Sequence, residues 1–145
     1  QNQFASLEIC KDKLLAVVSL KNRHANRSTI SLKELSNENF IVFDKVTELH
    51  QLIMDECEKA GFEPIIFYSS HRKVSVFGLV GTNIGVALMP VKIYEYHQHS
   101  DVVAIPLEEN IECNVILAYL KNKKLPKAAN TFIDFMARIA TNNPI

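Results

Sequence analysis

The chain has 145 residues, 48% of them apolar and 22% charged, which suits one ordinary domain with a real hydrophobic core. Its 16 Lys and Arg balance 16 Asp and Glu, so the basic stripe that phosphate contacts need is missing and nucleic acid is not expected on this segment. No apolar run approaches the roughly 18 residues of a membrane span, which argues against membrane insertion.

The three cysteines, Cys10, Cys57 and Cys113, are odd in number and widely spaced. That pattern argues against a disulfide framework and against a CxxC site, and reads as reduced thiols in a cytoplasm. The chain starts Gln1-Asn2-Gln3, without an initiator methionine or the look of a signal peptide. It therefore reads as a fragment of a longer protein.

In chain order, residues 4–10 alternate weakly, and 14–20 form a much stronger buried strand. A polar connection follows over 21–29. Ser31 and Glu34 then have capping-box spacing for a short helix ending at Leu35. Residues 40–43 predict a second buried strand closed by Asp44. Residues 47–60 predict an amphipathic helix with Leu49, Leu52, Ile53, Cys57 and Ala60 on its inner face, and Gly61 as its C-terminal cap.

Pro64 leads into a strand over 65–68, and Ser69, Ser70 and His71 read as the turn into the next helix. That helix carries Val74, Phe77, Leu79 and Val80 at helical spacing. It breaks at Gly81, Thr82 and Asn83, and a buried strand over 86–89 ends at Pro90. A short helix (91–97), a strand (102–107), a long β-branched and aromatic strand (111–120) and a closing helix (126–141) complete the pattern. Helices alternate with strands in the middle, so the class is α/β, of the kind built on parallel sheets with ligands at strand ends.

Four pieces, in order, resemble the effector-binding domain of LysR-type transcriptional regulators. A strand and a hydrophilic turn around His24 lead to Ile30-Ser31-Leu32 and Leu35. A strand and helix end in Ala60-Gly61-Phe62 and Pro64. Leu79-Val80, Gly81, Gly85 and Val86-Ala87-Leu88-Met89-Pro90 match the glycine-rich signature. A strand and C-terminal helix close the chain. Two departures stand out. His24-Ala25-Asn26 replaces the usual His-Pro-Leu, so that turn lacks its rigid proline. Thr82-Asn83-Ile84 is one residue longer than the common G-x-G form.

The resemblance implies a periplasmic-binding-protein-like (type 2) fold with Rossmann-like subdomains. One subdomain (36–107) would be complete and the other partial (1–35 with 108–145), lacking its opening βαβα segment and so either incomplete or completed by another chain. It also implies a small effector, carrying a carboxylate or other anionic group, held between the subdomains. Self-association as a homodimer or tetramer would follow, with DNA contacted only through a helix-turn-helix domain outside this chain. A periplasmic solute-binding protein for transport is the alternative on the same fold.

The candidate ligand residues sit at strand-to-helix turns, where helix N-termini favour anions. They are Asp44, Lys45 and Thr47 on one turn, Ser69, Ser70 and His71 on another, and Ile84 and Gly85 on a turn expected to face the same cleft. Ser70 and Thr47 can equally cap their own helices. Asp44 can be a plain turn residue, and His71 a solvent-exposed one or a pH-sensitive donor. His97 and His99 lack further ligands at metal spacing, and Glu108 and Glu109 read as a solvated pair. No nucleophile–base motif shows. No enzyme activity, cofactor or metal is expected.

Overall fold

Leu14, Leu15, Ala16, Val17, Val18 and Ser19 are all buried, as expected of a strand flanked on both sides. A computed structural model describes residues 3–97, 99–121 and 123–142. Its elements are β1 (Phe4–Cys10), β2 (Leu14–Ser19), a 3₁₀ turn (Leu32–Leu35), β3 (Asn39–Phe43), α1 (Glu48–Lys59), β4 (Ile65–Ser70), α2 (Lys73–Gly81), β5 (Ala87–Pro90), α3 (Val91–Tyr96), β6 (Val102–Pro106), β7 (Val115–Leu120) and α4 (Lys127–Asn142). The sequence-based order holds, with local shifts. Leu20 falls outside β2 and is exposed. The 111–120 run is not one strand: Ile111 is buried in one compact unit, whereas β7 starts at Val115 in the other.

Two compact units are present. One is Lys13–Ile111, and the other comprises the described residues within Gln1–Asp12 and Glu112–Ile145. The expected division at 35/36 and 107/108 therefore differs from the observed one. The physical reason is β2, which pairs antiparallel with β5 (Leu14 opposite Pro90) and with β6 (Leu15 opposite Pro106). It is a central strand of the larger unit and cannot be separated from it.

In the larger unit β3 and β4 are parallel, with Asn39 opposite Ile65 and Phe43 opposite Ser70. A parallel bridge from Phe40 to Val86 joins this pair to the start of β5. The Ile41 N–H donates to the Val86 carbonyl, and the Val86 N–H to the Asn39 carbonyl, both at 2.8 Å. The strands thus run in the order β4, β3, β5, β2, β6. They are mixed rather than all parallel, because β2 reaches both its neighbours in the opposite sense. Leu15, Val17, Ile41, Phe43, Ala87, Met89 and Val102 of the strands form one core with Val76, Phe77 and Val80 of α2. Phe40 alternates to the other side of β3 and meets Phe62 at 6.1 Å between ring centroids.

Local chemistry sets the ends of the helices. The Gly61 N–H donates to the Glu58 carbonyl and the Phe62 N–H to that of Cys57. With Gly61 at φ 83°, that is a Schellman ending for α1. Asn83, at φ 65°, plays the left-handed part after α2. The Glu34 carboxylate accepts the Ser31 N–H at 2.9 Å. Together with Arg27, that backbone bond holds the Glu34 carboxyl below its usual pKa. Glu109 is not merely solvated: its carboxylate accepts the Leu32 N–H at 2.9 and 3.0 Å, capping the 3₁₀ turn.

The smaller unit is an antiparallel β1–β7 ribbon, with Phe4 opposite Leu120 and Leu7 opposite Leu117, packed by α4. Its apolar residues Phe4, Val115, Ile116, Phe132 and Phe135 are exposed. Every buried hydrophobic residue among those described belongs to the larger unit.

A Cβ at Gly85 would lie 2.5 Å from the Asn39 carbonyl oxygen, whereas one at Gly78, inside α2, meets nothing within 4 Å. Gly85→Ala should therefore destabilise the larger unit by about 1–3 kcal/mol through overpacking. Gly78→Ala should stabilise it by about 0.5–1 kcal/mol through backbone entropy. Urea denaturation of the two variants measures both signs.

Candidate functional site

The parallel register decides which loops can act together. Because Phe43 lies opposite Ser70, the turn after β3 and the turn after β4 sit side by side at one edge of the sheet. Helices α1 and α2 start from those two turns. The C-terminal end of β5, at Pro90, lies on the same edge, opposite Leu14 of β2. The start of α3 at Val91 therefore belongs to this edge too, a placement that the sequence reading missed.

Ile84 and Gly85 do not join them. They precede Val86, which bridges to Phe40, so they lie at the opposite edge. Gly85 packs against Asn39, about four residues or ~13 Å along the strand from Phe43 at ~3.3 Å per residue. The Ile84 carbonyl accepts the Asn39 side-chain amide at 3.2 Å. Gly85 is thus a close-packing residue of the β3–β5 junction. The expectation that these two residues face the same cleft as Ser70 is corrected by the strand order.

The two helix starts differ. At α1 the Thr47 hydroxyl donates to the Asp44 carbonyl at 2.8 Å and accepts the His50 N–H at 3.1 Å. The Asp44 carboxylate accepts the Lys45 N–H at 2.7 Å. Both residues hold the turn together, and Thr47 fills the N-cap role. Lys45 is exposed at the tip.

His50, absent from the candidates read in the sequence, is buried, and its Nδ1 lies 2.8 Å from the Phe43 carbonyl. A carbonyl only accepts, so Nδ1 carries the proton. This bond ties the end of β3 to the first turn of α1. A histidine on the inner face of a predicted helix, one turn after a strand end, was the available signal.

At α2 the strand runs on through Ser69 and Ser70, so these are not turn residues. Ser70 does not cap the helix. Its hydroxyl accepts the Arg72 N–H at 3.0 Å and lies 3.4 Å from the Arg72 carbonyl. The N-cap position falls to Arg72, which makes no side-chain cap bond. The first N–H groups of α2 are therefore offered without a side-chain acceptor at the cap, beside exposed Ser69 and His71. An uncapped helix start carries partial positive charge and suits an anion.

A shallow hollow of about 490 Å³, lined by Met54, Glu58, Gly61, Phe62, Glu63 and Pro64, opens before β4, at the other edge. Its two carboxylates make it a poor anion site. His97 and His99 pack on Phe77, with ring centroids at 6.1 and 5.9 Å. Among the described residues no group of three or more His, Cys, Asp and Glu could hold a metal ion.

The family described as LysR substrate binding domain matches residues 1–140. The chain is 33% identical over 132 residues to the HTH-type transcriptional regulator YwbI of Bacillus subtilis, covering 90% of this chain and 44% of that protein. The fold is shared with the regulatory domain of CcmR from Synechocystis PCC6803 in complex with 2-PG (TM-score 0.88, 14% identity, 99% of this chain and 70% of that one). It is shared too with the effector-binding domain of QuiR in complex with shikimate (TM-score 0.87, 23% identity, 100% and 69%). The chain thus spans less than half the length of the curated relative.

Because Thr47 and His50 hold the turn after β3, both should be felt as stability. Thr47→Ala should cost about 1 kcal/mol as a lost cap. His50→Leu should cost about 1–3 kcal/mol by leaving the Phe43 carbonyl unpaired. Urea midpoints at unchanged slope would verify both.

Proposed function

This chain belongs to the LysR substrate-binding domain family, and from that premise we propose that it is the ligand-sensing module of a LysR-type transcriptional regulator, binding a small anionic metabolite at the edge formed by the ends of β3 and β4. One observation carries the choice of site. The Phe43–Ser70 register sets two helix starts side by side, one closed by its own cap and one without a side-chain cap.

The ligand anion would take the N–H groups at the start of α2, with the hydroxyl of Ser69 and the ring of His71 beside it. Lys45 supplies a cation from the neighbouring turn, which Asp44 and Thr47 shape. Ser70 acts through the Arg72 backbone, and Ile84 and Gly85 take no part. Shikimate, named with one of the similar structures, is a carboxylate, which supports an anionic ligand.

The module performs no chemistry in this reading. The ligand changes the balance of two arrangements of the full protein only as far as it binds them differently. Self-association as a dimer or tetramer, DNA contact through a separate helix-turn-helix domain and a cytoplasmic location follow as parts of the same proposal. Relatives named as transcriptional regulators favour it over solute transport. No helix among the described residues is long and apolar enough to cross a membrane.

A thermal-shift screen of small carboxylates and phosphate esters tests the reading. A hit at a hundredfold excess over Kd should add about 2.7 kcal/mol of stability. Against that hit, Ser69→Ala combined with Lys45→Ala should weaken binding about tenfold, ~1.4 kcal/mol, whereas Ile84→Ala should leave it unchanged. Loss of binding in Ile84→Ala alone would move the site to the other edge.

A further inference from the structure

Two of the three thiols, distant in sequence, are neighbours in the fold. In the smaller unit Glu8 lies opposite Ile116. After a register shift at Ile9, Cys10 lies opposite Val115. Just beyond the strand end the Cys113 N–H donates to the Asp12 carbonyl at 2.9 Å. Cys10 and Asp12 therefore project on one side of the ribbon facing Val115 and Cys113, which makes the two cysteines diagonal cross-strand neighbours. Both are partly exposed, whereas Cys57 is fully buried in the larger unit. Burial, the Asp12 carboxylate and Cys10 together push the Cys113 thiol up to about 11.

Diagonal Cα separations are about 7–8 Å, and a disulfide spans about 4.4–6.8 Å. Closure thus asks the strands to approach by ~1 Å, at a bulged ribbon end where bending is easiest.

We propose that Cys10 and Cys113 form a reversible disulfide on exposure to hydrogen peroxide, making the end of the β1–β7 ribbon a redox-modifiable site. The Cys10 thiolate attacks one peroxide oxygen, and the O–O bond breaks to give Cys10 sulfenic acid and hydroxide. The Cys113 thiolate then attacks the Cys10 sulfur and expels hydroxide. Two thiols and one peroxide become one disulfide and two waters, and a small-molecule dithiol reverses the step. Burial keeps the Cys113 thiol mostly protonated at neutral pH, so ring closure speeds up as pH rises. Cys10 and Cys113 lie within two residues of Asp12 and Glu112, where the chain passes between units. The bond would therefore fasten the two connecting segments to each other.

The test treats the purified native protein with peroxide at pH 7.5 and 8.5, then counts thiols, weighs the intact chain and maps its peptides. The expected result is the loss of two of three thiols and of two hydrogens, a Cys10–Cys113 linked peptide and reversal by dithiothreitol. Linkage should form severalfold faster at the higher pH. Cys57→Ser should behave as the parent. Cys113→Ala should stop at a Cys10 sulfenic acid that dimedone traps, and Cys10→Ala should form no bond. Three surviving thiols, oxidation of Cys10 without linkage, or a bond to Cys57 or to a second chain would each overturn the proposal.

Discussion

Everything in the larger unit depends on the contact between β3 and the start of β5. Gly85 rests against the Asn39 carbonyl, and the Ile41–Val86 and Val86–Asn39 hydrogen bonds then lock the strands in parallel. Only a residue without Cβ allows that approach. The contact welds the β3–β4 pair to the β5–β2–β6 sheet and lets α2 close one core over both. It also fixes polarity: the ends of β3, β4 and β5 fall on one edge and their starts on the other.

That polarity explains what was legible in the sequence. The β2 run, the α1 face and the Gly61 cap followed from periodicity and turn chemistry alone, because each is decided within a few residues. The glycine-rich signature spells helix, turn and buried strand, and the fold has all three. Adjacency in sequence suggests one cleft for its two polar ends, and topology forbids it. A helix reverses the chain across the whole sheet, so residues before and after α2 must lie at opposite edges. Which strand pairs with which is a long-range fact that no local pattern carries. The separate roles of Ser69 and Ser70 were likewise out of reach, since they depend on where β4 ends.

The two helix starts show how similar sequences diverge in role. Thr47 has a free path to the His50 N–H and closes α1. Ser70 is two residues too early to cap α2 and spends its hydroxyl on Arg72, so α2 begins at a residue with no capping side chain. A capped start is a structural joint, and an uncapped one beside exposed polar groups is where an anion gains most. His50 completes the joint by satisfying the last carbonyl of β3 from inside the core. In the smaller unit register makes the opposite kind of difference, setting Cys10 diagonal to Cys113, although an odd count and wide spacing argue against a disulfide framework.

The most direct test of this account is backbone amide chemical-shift mapping during titration with the carboxylate that gives the largest thermal shift. The account predicts that the amides of Lys45, Ser69, His71, Lys73 and Val74 move together, at one dissociation constant, while Gly85 and Val86 stay fixed. Shifts centred on Gly85 and Val86, or on Gly61 and Phe62, with the start of α2 unmoved, would contradict it.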